Sequence, residues 1–327
     1  MLGLLATFRN RKRCEHGSSD ARTSDRGYLC SSVQPELSDL IVDYDPDTLA
    51  RRPVTKAAVL ARLTGTPHRV AARLATMPSG DLDPAEMDGV LVRAHLELQR
   101  LHEEFRVPRT VGLLLKPMIE HVRQTRGGPI RVVDLGCGLG FVLRWLARHG
   151  ELGEDVELVG ADYNRALVEA ASTLAREDEL RCRFLTANAF RLSQPADIVL
   201  STGVVHHFRD DDLVRLFREH EASAALGFVH VDIRPSILAP IGSLIFHVSR
   251  MREPLAKFDG YWSAVRAHPV AALVDASTRG APIFAHGTFD STPGLFGLVR
   301  IFHALVGLRG SDLAAAYAPL GKRFAPA

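Results

Sequence analysis

The sequence predicts an α/β protein: a doubly wound, mostly parallel sheet of seven strands behind an N-terminal helical cap. Three observations predict it. From residue 129 onward, short apolar runs alternate with segments of helical periodicity, the rhythm of a parallel sheet covered on both faces. The first run, "IRVVDLG", ends in an acid and enters a glycine-rich turn that opens a helix. From about residue 46 to 127 the patterns are helical, ahead of the first clear strand.

The 327 residues are 46% hydrophobic and 24% charged, an ordinary globular balance, and suffice for one large α/β domain with an appendage. A net charge of +2, without a basic stripe, argues against a nucleic-acid partner. The four cysteines, Cys14, Cys30, Cys137 and Cys182, are far apart and show neither zinc spacing nor a disulfide framework. A reducing, cytoplasmic setting is therefore expected. "MLGLLATF" is too short for a secretory signal and its basic residues follow the apolar run. No stretch is long enough to span a bilayer.

Residues 9–45 are polar and nearly aperiodic, and residues 1–45 are expected to form a flexible N-terminal segment; removing residues 1–40 is expected to leave stability nearly unchanged. Residues 46–128 form the cap. Its clearest helix begins at "DPAEM", with Asp83 as N-cap, Pro84 at the first helical position and Glu86 three residues after the cap. Another, "TVGLLLKPMIEHVRQTRGG", stops at Gly127 and Gly128. Residues 129–302 hold the sheet: strands in "IRVVDLG", "DVELVGAD", "LRCRFLTANAF", "ADIVLSTG" and "LGFVHVDI", then a closely connected antiparallel pair in "PIFAHGTF" and "GLFGLVRIF". Residues 303–327 are read as a C-terminal tail.

Ligands of such sheets sit beyond the carboxyl ends of the strands. Gly136, Gly138 and Gly140 follow the first strand and let a ligand approach the backbone. A dinucleotide loop would carry its third glycine at 141, where Phe141 stands, and no Tyr-x-x-x-Lys is present; both count against a nicotinamide-dependent oxidoreductase. Asp134 ends the first strand. Asp162 ends the second and can accept both hydroxyls of a ribose, or cap the following helix. Asn188 and Ala189 end the third, where an amide oxygen can accept from an exocyclic amine.

"VVDLGCGLG", "VGADYN", "ANAF" and "ADIVLSTGVVHHF", in that order, resemble the class I S-adenosyl-L-methionine-dependent methyltransferases, in particular the small-molecule branch with ubiquinone- and menaquinone-type enzymes. "DIRPSILAPIGS" is similar to methyltransferases encoded beside bacterial polyketide pathways. The motifs cover residues 129–232, and 233–302 follow by strand order. The resemblance implies a Rossmann-like methyltransferase fold with S-adenosylmethionine as cofactor. Asp134, Gly136, Cys137, Gly138 and Gly140 would face its methionine part, Asp162 its ribose with Tyr163 alongside, Asn188 and Ala189 its adenine, and Ser201, Thr202 and Val204 its sulfonium. Asn188 departs from the Asp of many relatives, which implies weakened adenine binding.

Methyl transfer to a hydroxyl needs orientation and a base. His206 and His207 stand just past the fourth strand, and histidine titrates near neutral pH; at most one is expected to serve as the base, since adjacent side chains point apart, and either can instead pack or cap the following loop. Asp232 and Arg234, beyond the fifth strand, are expected to hold a polar substrate or, as a structural salt bridge, each other. No metal is expected: Ser201, Thr202 and Gly203 stand where a metal-assisted catechol-type enzyme needs acids, and Asp210, Asp211 and Asp212 read as a helix start. Leu238, Ile241, Leu244, Ile245 and Phe246 are expected in the lid core or the wall of an acceptor pocket suited to an aromatic or polyketide-like hydroxyl compound. The expected partner is this small-molecule acceptor. A non-catalytic S-adenosylmethionine-binding protein stays open, as does the oligomeric state.

Overall fold

The computed structural model describes residues 35–192, 194–290, 301–310 and 313–327. Their elements run α1 (Leu37–Leu40), β1 (Asp43–Tyr44), β2 (Arg51–Arg52), α2 (Lys56–Ala61), α3 (Gly65–Ala71), α4 (Pro84–Glu104) and α5 (Val107–Arg126). The sheet region follows as β3 (Ile130–Leu135), α6 (Phe141–His149), β4 (Val156–Asp162), α7 (Arg165–Glu177), β5 (Cys182–Thr186), β6 (Ile198–Thr202), α8 (Asp210–Ala222) and β7 (Gly227–Ile233). Then come α9 (Ala239–Arg250), α10 (Pro254–Arg266), α11 (Val270–Gly280), β8 (Phe284–Asp290), β9 (Phe302–Arg309) and β10 (Phe324–Pro326).

The main sheet has the order β10-β8-β9-β7-β6-β3-β4-β5. Strands β5, β4, β3, β6 and β7 are parallel neighbours, and β9 inserts antiparallel between β7 and β8. The central strands β3, β4, β6 and β7 are largely apolar and buried because both faces are covered, whereas β5, at the sheet edge, is half-buried. Val132 and Leu200 face the cluster with Leu114, Leu115 and Met118 of α5. Val133, Leu135 and Val199 face the opposite cluster, with Leu213 and Phe217 of α8.

Register sets the functional edge. Leu135 pairs with Ser201 and Ala161, Asp162 with Thr186, and Thr202 with Val231. The carboxyl ends of β3, β4, β5, β6 and β7 therefore lie level, and their following loops share one rim.

The cap begins as its sequence dictates. Asp83 accepts from the N–H groups of Ala85 and Glu86, satisfying the first turn of α4. Met87, Val90, Leu91 and Ala94 then pack with Leu139 of the glycine loop and Leu167 of α7.

Several expectations change. Residues 35–45 are not a loose tail: Leu37, Leu40, Ile41 and Val42 are buried in the cap core, and the Asp259 carboxylate accepts from the N–H groups of Leu37 and Ser38. Residues 303–327 are not a tail either. Strand β9 lies centrally between β7 and β8, and β10 pairs with β8, giving eight strands where seven were expected. Their signal was missed because β9, "FHALVGLR", is apolar on both faces and follows another apolar run; most of the expected strand "GLFGLVRIF" lies outside the described residues. Helix α10 was also missed, since its buried face mixes Asp259, Ser263 and Arg266 with the apolar residues.

Candidate active site

The glycine loop turns as its composition requires. Gly136, Gly138 and Gly140 have φ of 63°, 53° and 66°, in the left-handed region. The loop is also closely covered. A Cβ at Gly136 would lie 2.7 Å from Cγ2 of Val204, and one at Gly138 would lie 2.6 Å from Cδ2 of His95 on α4. Val204 thus fixes the 204–207 turn against the loop, and His95 closes it from the cap.

Asp134 is 1% exposed, and its Oδ1 has no hydrogen-bond partner among the described residues. Burial, reinforced by the nearby Asp162 charge, pushes its carboxyl well above the usual range. A buried, unsatisfied acceptor beside a left-handed glycine turn suits a ligand's ammonium group. Asp162 accepts from Gly138 N–H (2.9 Å) through Oδ2 and from Asn164 N–H (2.9 Å) through Oδ1. Burial raises its pKa and these N–H groups oppose the rise. Each oxygen keeps a second lone pair, so loop bracing and ribose binding are compatible. The Tyr163 ring packs edge-on against Tyr44 at 5.3 Å. Cys137 is a free thiol whose pKa burial raises well above normal.

Two other positions differ from expectation. The Asn188 amide is engaged at both ends: its oxygen accepts from Phe190 N–H (2.9 Å) and its nitrogen donates to Pro46 O (2.8 Å). It shapes a turn of its own. Ala189 packs inward with Phe190 and Phe208. Ser201 is buried, and its hydroxyl bonds Nδ1 of His230 at 2.7 Å, whose Nε2 meets Nε2 of His220 at 2.9 Å. That polar chain runs inside the sheet rather than toward a cofactor. Thr202, next along β6, points to the other face.

The "VHH" segment is a 3-10 turn over Val205–His207. Asp232 at the end of β7 grips it: Oδ1 lies 2.7 Å from His206 Nδ1, and Oδ2 accepts from His206 N–H at 3.0 Å. His207 Nδ1 lies 3.0 Å from Asp39. Both Nε2 atoms turn toward Glu36, at 3.5 Å for His206 and 3.9 Å for His207. The rings lie 4.3 Å apart at 32°, so the two histidines do not point apart; the tight turn and the shared carboxylates align them. Arg266 donates to Asp39 (2.7 Å) and to His207 O (3.0 Å). Burial opposes protonation of both histidines, but the carboxylates prevail: Asp232 and Glu36 raise His206 to about 10, and Asp39 and Glu36 raise His207.

Asp232 and Arg234 do not pair: Asp232 binds His206, and Arg234 meets Asp290 at 3.0 Å. Leu238, Ile241 and Ile245 are exposed and belong to neither a lid core nor an enclosed pocket; Leu238 is 72% exposed. Glu36, Asp39, His95 and Arg266 were missed from the sequence. Glu36 and Asp39 lie in the segment read as a tail, His95 in the cap and Arg266 in a helix that was not expected, and no short-range spacing marks them.

The strand order with one antiparallel insertion, the glycine turn after β3 and the acid ending β4 meet at one rim. Residues 132–225, the part holding that rim through α8, match the methyltransferase-domain family. S-adenosylmethionine is the cofactor of these methyltransferases, and Asp134, unpartnered among the described residues at Oδ1 beside the glycine turn, fits its amino-acid end.

The methyltransferase domain is similar to curated enzymes. Ribosomal RNA small subunit methyltransferase C of Alcanivorax borkumensis is 30% identical over 159 residues, 46% of each chain. Ubiquinone biosynthesis O-methyltransferase of Mesorhizobium japonicum is 32% identical over 87 residues, 26% of this chain and 33% of that one. The chain spans less than half the length of these relatives. Among solved structures, a plantazolicin methyltransferase with SAH aligns at TM-score 0.47 and 12% identity, over 69% of this chain and 98% of that one. Magnesium protoporphyrin IX methyltransferase of Synechocystis PCC 6803 aligns at 0.43 and 16%, over 78% and 100%. No helix among the described residues is long and apolar enough to cross a membrane.

Proposed function

We propose that the chain is an S-adenosylmethionine-dependent methyltransferase that methylates the oxygen of an acidic hydroxyl, phenolic or enolic, on a small aromatic or polyketide-like molecule. The observation that carries this reading is the contact between Val204 and Gly136, which sets the His206–His207 turn beside the glycine loop. The bound cofactor supplies a sulfonium methyl group open to in-line displacement. Asp134 and the loop backbone hold its amino-acid end, and the lone pairs left on Asp162 hold the ribose.

The two histidines divide the work by exposure. The His206 side chain is 4% exposed, whereas that of His207 is 29% exposed. His207 therefore meets the acceptor and His206 positions it. The surrounding carboxylates favour positive charge at the two rings, so this turn would hold an acceptor oxyanion rather than serve as a neutral base. This favours hydroxyls acidic enough to ionise on binding. The oxygen–methyl bond forms as the sulfur–methyl bond breaks, and the hydroxyl proton has already left to solvent. Free Cys137 and Cys182 suit a cytoplasmic setting.

The test is incubation of the full chain with labelled S-adenosylmethionine and a panel of phenols and enols of graded acidity, with mass detection of a +CH2 product. His207→Gln is expected to lower kcat about 100-fold while leaving cofactor affinity within about twofold. Label incorporated only into RNA would overturn the reading, as would binding of cofactor without methylation of any small acceptor.

A further inference from the structure

We propose that Glu36, His206 and His207 form a binding site for one divalent first-row transition-metal ion of the zinc type. The three side chains bring ligand atoms within 4.8 Å of one another. Glu36 and His206 are each 3% exposed, and Oε1 of Glu36 and Nε2 of His206 have no hydrogen-bond partner among the described residues. Two buried polar atoms facing each other at 3.5 Å, too far apart for a hydrogen bond, ask for something between them.

The spacing suits an ion. Tetrahedral zinc with bonds of ~2.0–2.1 Å holds its ligand atoms ~3.3 Å apart. Oε1 of Glu36 is 3.5 Å from His206 Nε2, and Oε2 is 3.9 Å from His207 Nε2, so small side-chain shifts close the set. Two histidines and one carboxylate, with a position left over, are the donor set of open zinc sites and of non-haem iron.

The surroundings support the same assignment. Metal-binding imidazoles hand their other nitrogen to a carboxylate or carbonyl, which fixes ring and tautomer. Here both do: His206 Nδ1 to Asp232 (2.7 Å) and His207 Nδ1 to Asp39 (3.0 Å). Charge agrees. Glu36, Asp39 and Asp232 gather negative charge around the two imidazoles, as the surroundings of a bound cation do, with Arg266 and Arg209 as the neighbouring positive groups. Arg266 sits 3.6 Å from Oε1 of Glu36, but its hydrogen bonds go to Asp39 and His207 O, leaving the Glu36 oxygen available. The sequence expectation of no metal rested on the residues after β6; this site borrows its third ligand from residue 36 instead.

The inference does not depend on the methyl-transfer proposal, and its test reads metal directly. The full chain, stripped with chelator and dialysed against Zn2+ or Co2+, is passed through gel filtration and analysed for metal; Co2+ loading is also followed by its visible absorption. One ion per chain is expected. Glu36→Gln and His207→Gln should each weaken binding at least 100-fold, and Asp39→Asn 10–100-fold through loss of the carboxylate behind His207. Circular dichroism checks that each variant folds; His207→Gln, at the partly exposed position, carries the test if Glu36→Gln does not. No stoichiometric metal in the wild type, or equal binding in folded variants, would overturn the proposal and leave a network held by protons.

Discussion

The Asp232 carboxylate binds His206 twice, 2.7 Å from its ring Nδ1 and 3.0 Å from its backbone nitrogen. One side chain at the end of β7 thus fixes both the ring and the turn that carries it. Removing a partner from a buried ionic pair costs about 3–5 kcal/mol, because the other group stays buried and uncompensated. Asp232→Ala is therefore expected to lower unfolding free energy by about 3 kcal/mol or more in a urea titration at pH 7. A change below about 1 kcal/mol would show that the turn is held by other contacts.

At the glycine loop, Gly138→Ala places a Cβ 2.6 Å from the His95 ring and forces a non-glycine residue into left-handed backbone, a cost of about 1–2 kcal/mol. Calorimetric titration is expected to show at least tenfold weaker S-adenosylmethionine binding. Combining Gly138→Ala with His95→Ala removes the clash and should recover part of that loss. Equal binding by wild type and Gly138→Ala would mean the cofactor lies elsewhere.

Asp162 braces Gly138 and Asn164 while facing the proposed ribose site. Hydrogen bonds to a charged group contribute about 1.5–3 kcal/mol each. Asp162→Ala should weaken cofactor binding more than tenfold, and Asp162→Asn, which keeps one acceptor oxygen, less. Unchanged affinity in Asp162→Ala would refute the ribose assignment.

The N-terminal boundary makes an opposite prediction from the one the sequence suggested. Deleting residues 1–40 removes buried Leu37 and Leu40 and the backbone donors that Asp259 accepts from. It also strips Glu36 and Asp39 from the two histidines. Each lost core leucine costs about 2–5 kcal/mol, so the truncated chain should melt at clearly lower temperature. Thermal unfolding indistinguishable from wild type would refute this packing.

Acid sensitivity should come in part from the His220–His230 pair. Burial lowers both: His230 to about 3, and His220 well below its normal value. Both stay neutral when folded but take up protons when unfolded. Their stabilisation is complete above about pH 6.5 and falls with pH, by about 1.4 kcal/mol per unit for each histidine. Asp259, raised to about 7 by burial, acts in the opposite direction between pH 7 and 4, so a difference measurement is needed. Wild type should lose more stability from pH 6.5 to 5 than the double variant His220→Gln/His230→Gln. Parallel stability curves would refute the assignment.

The local parts of the site were legible. Gly136 and Gly138 announce a turn because few other residues tolerate positive φ, and Asp134 and Asp162 announce strand ends because an apolar run stops there. Asn188 and Ser201 were placed on the correct strand ends, but their hydrogen-bond partners were not visible. Pro46 lies 142 residues from Asn188, and His230 lies 29 from Ser201.

The sequence by itself determined the alternating elements, the helical cap and the glycine turn, since each is written in periodicity or backbone preference within a few neighbouring residues. Only the tertiary structure decided that residues 36–42 belong to the core, that Asp232 serves His206 rather than Arg234, and that Glu36 meets both histidines. Residues 36, 39, 206, 207, 232 and 266 come from four separate segments, and the contact between them exists only after the cap has closed on the sheet. Hydrophobic periodicity records which face of an element is buried; it does not record which buried charges will find each other.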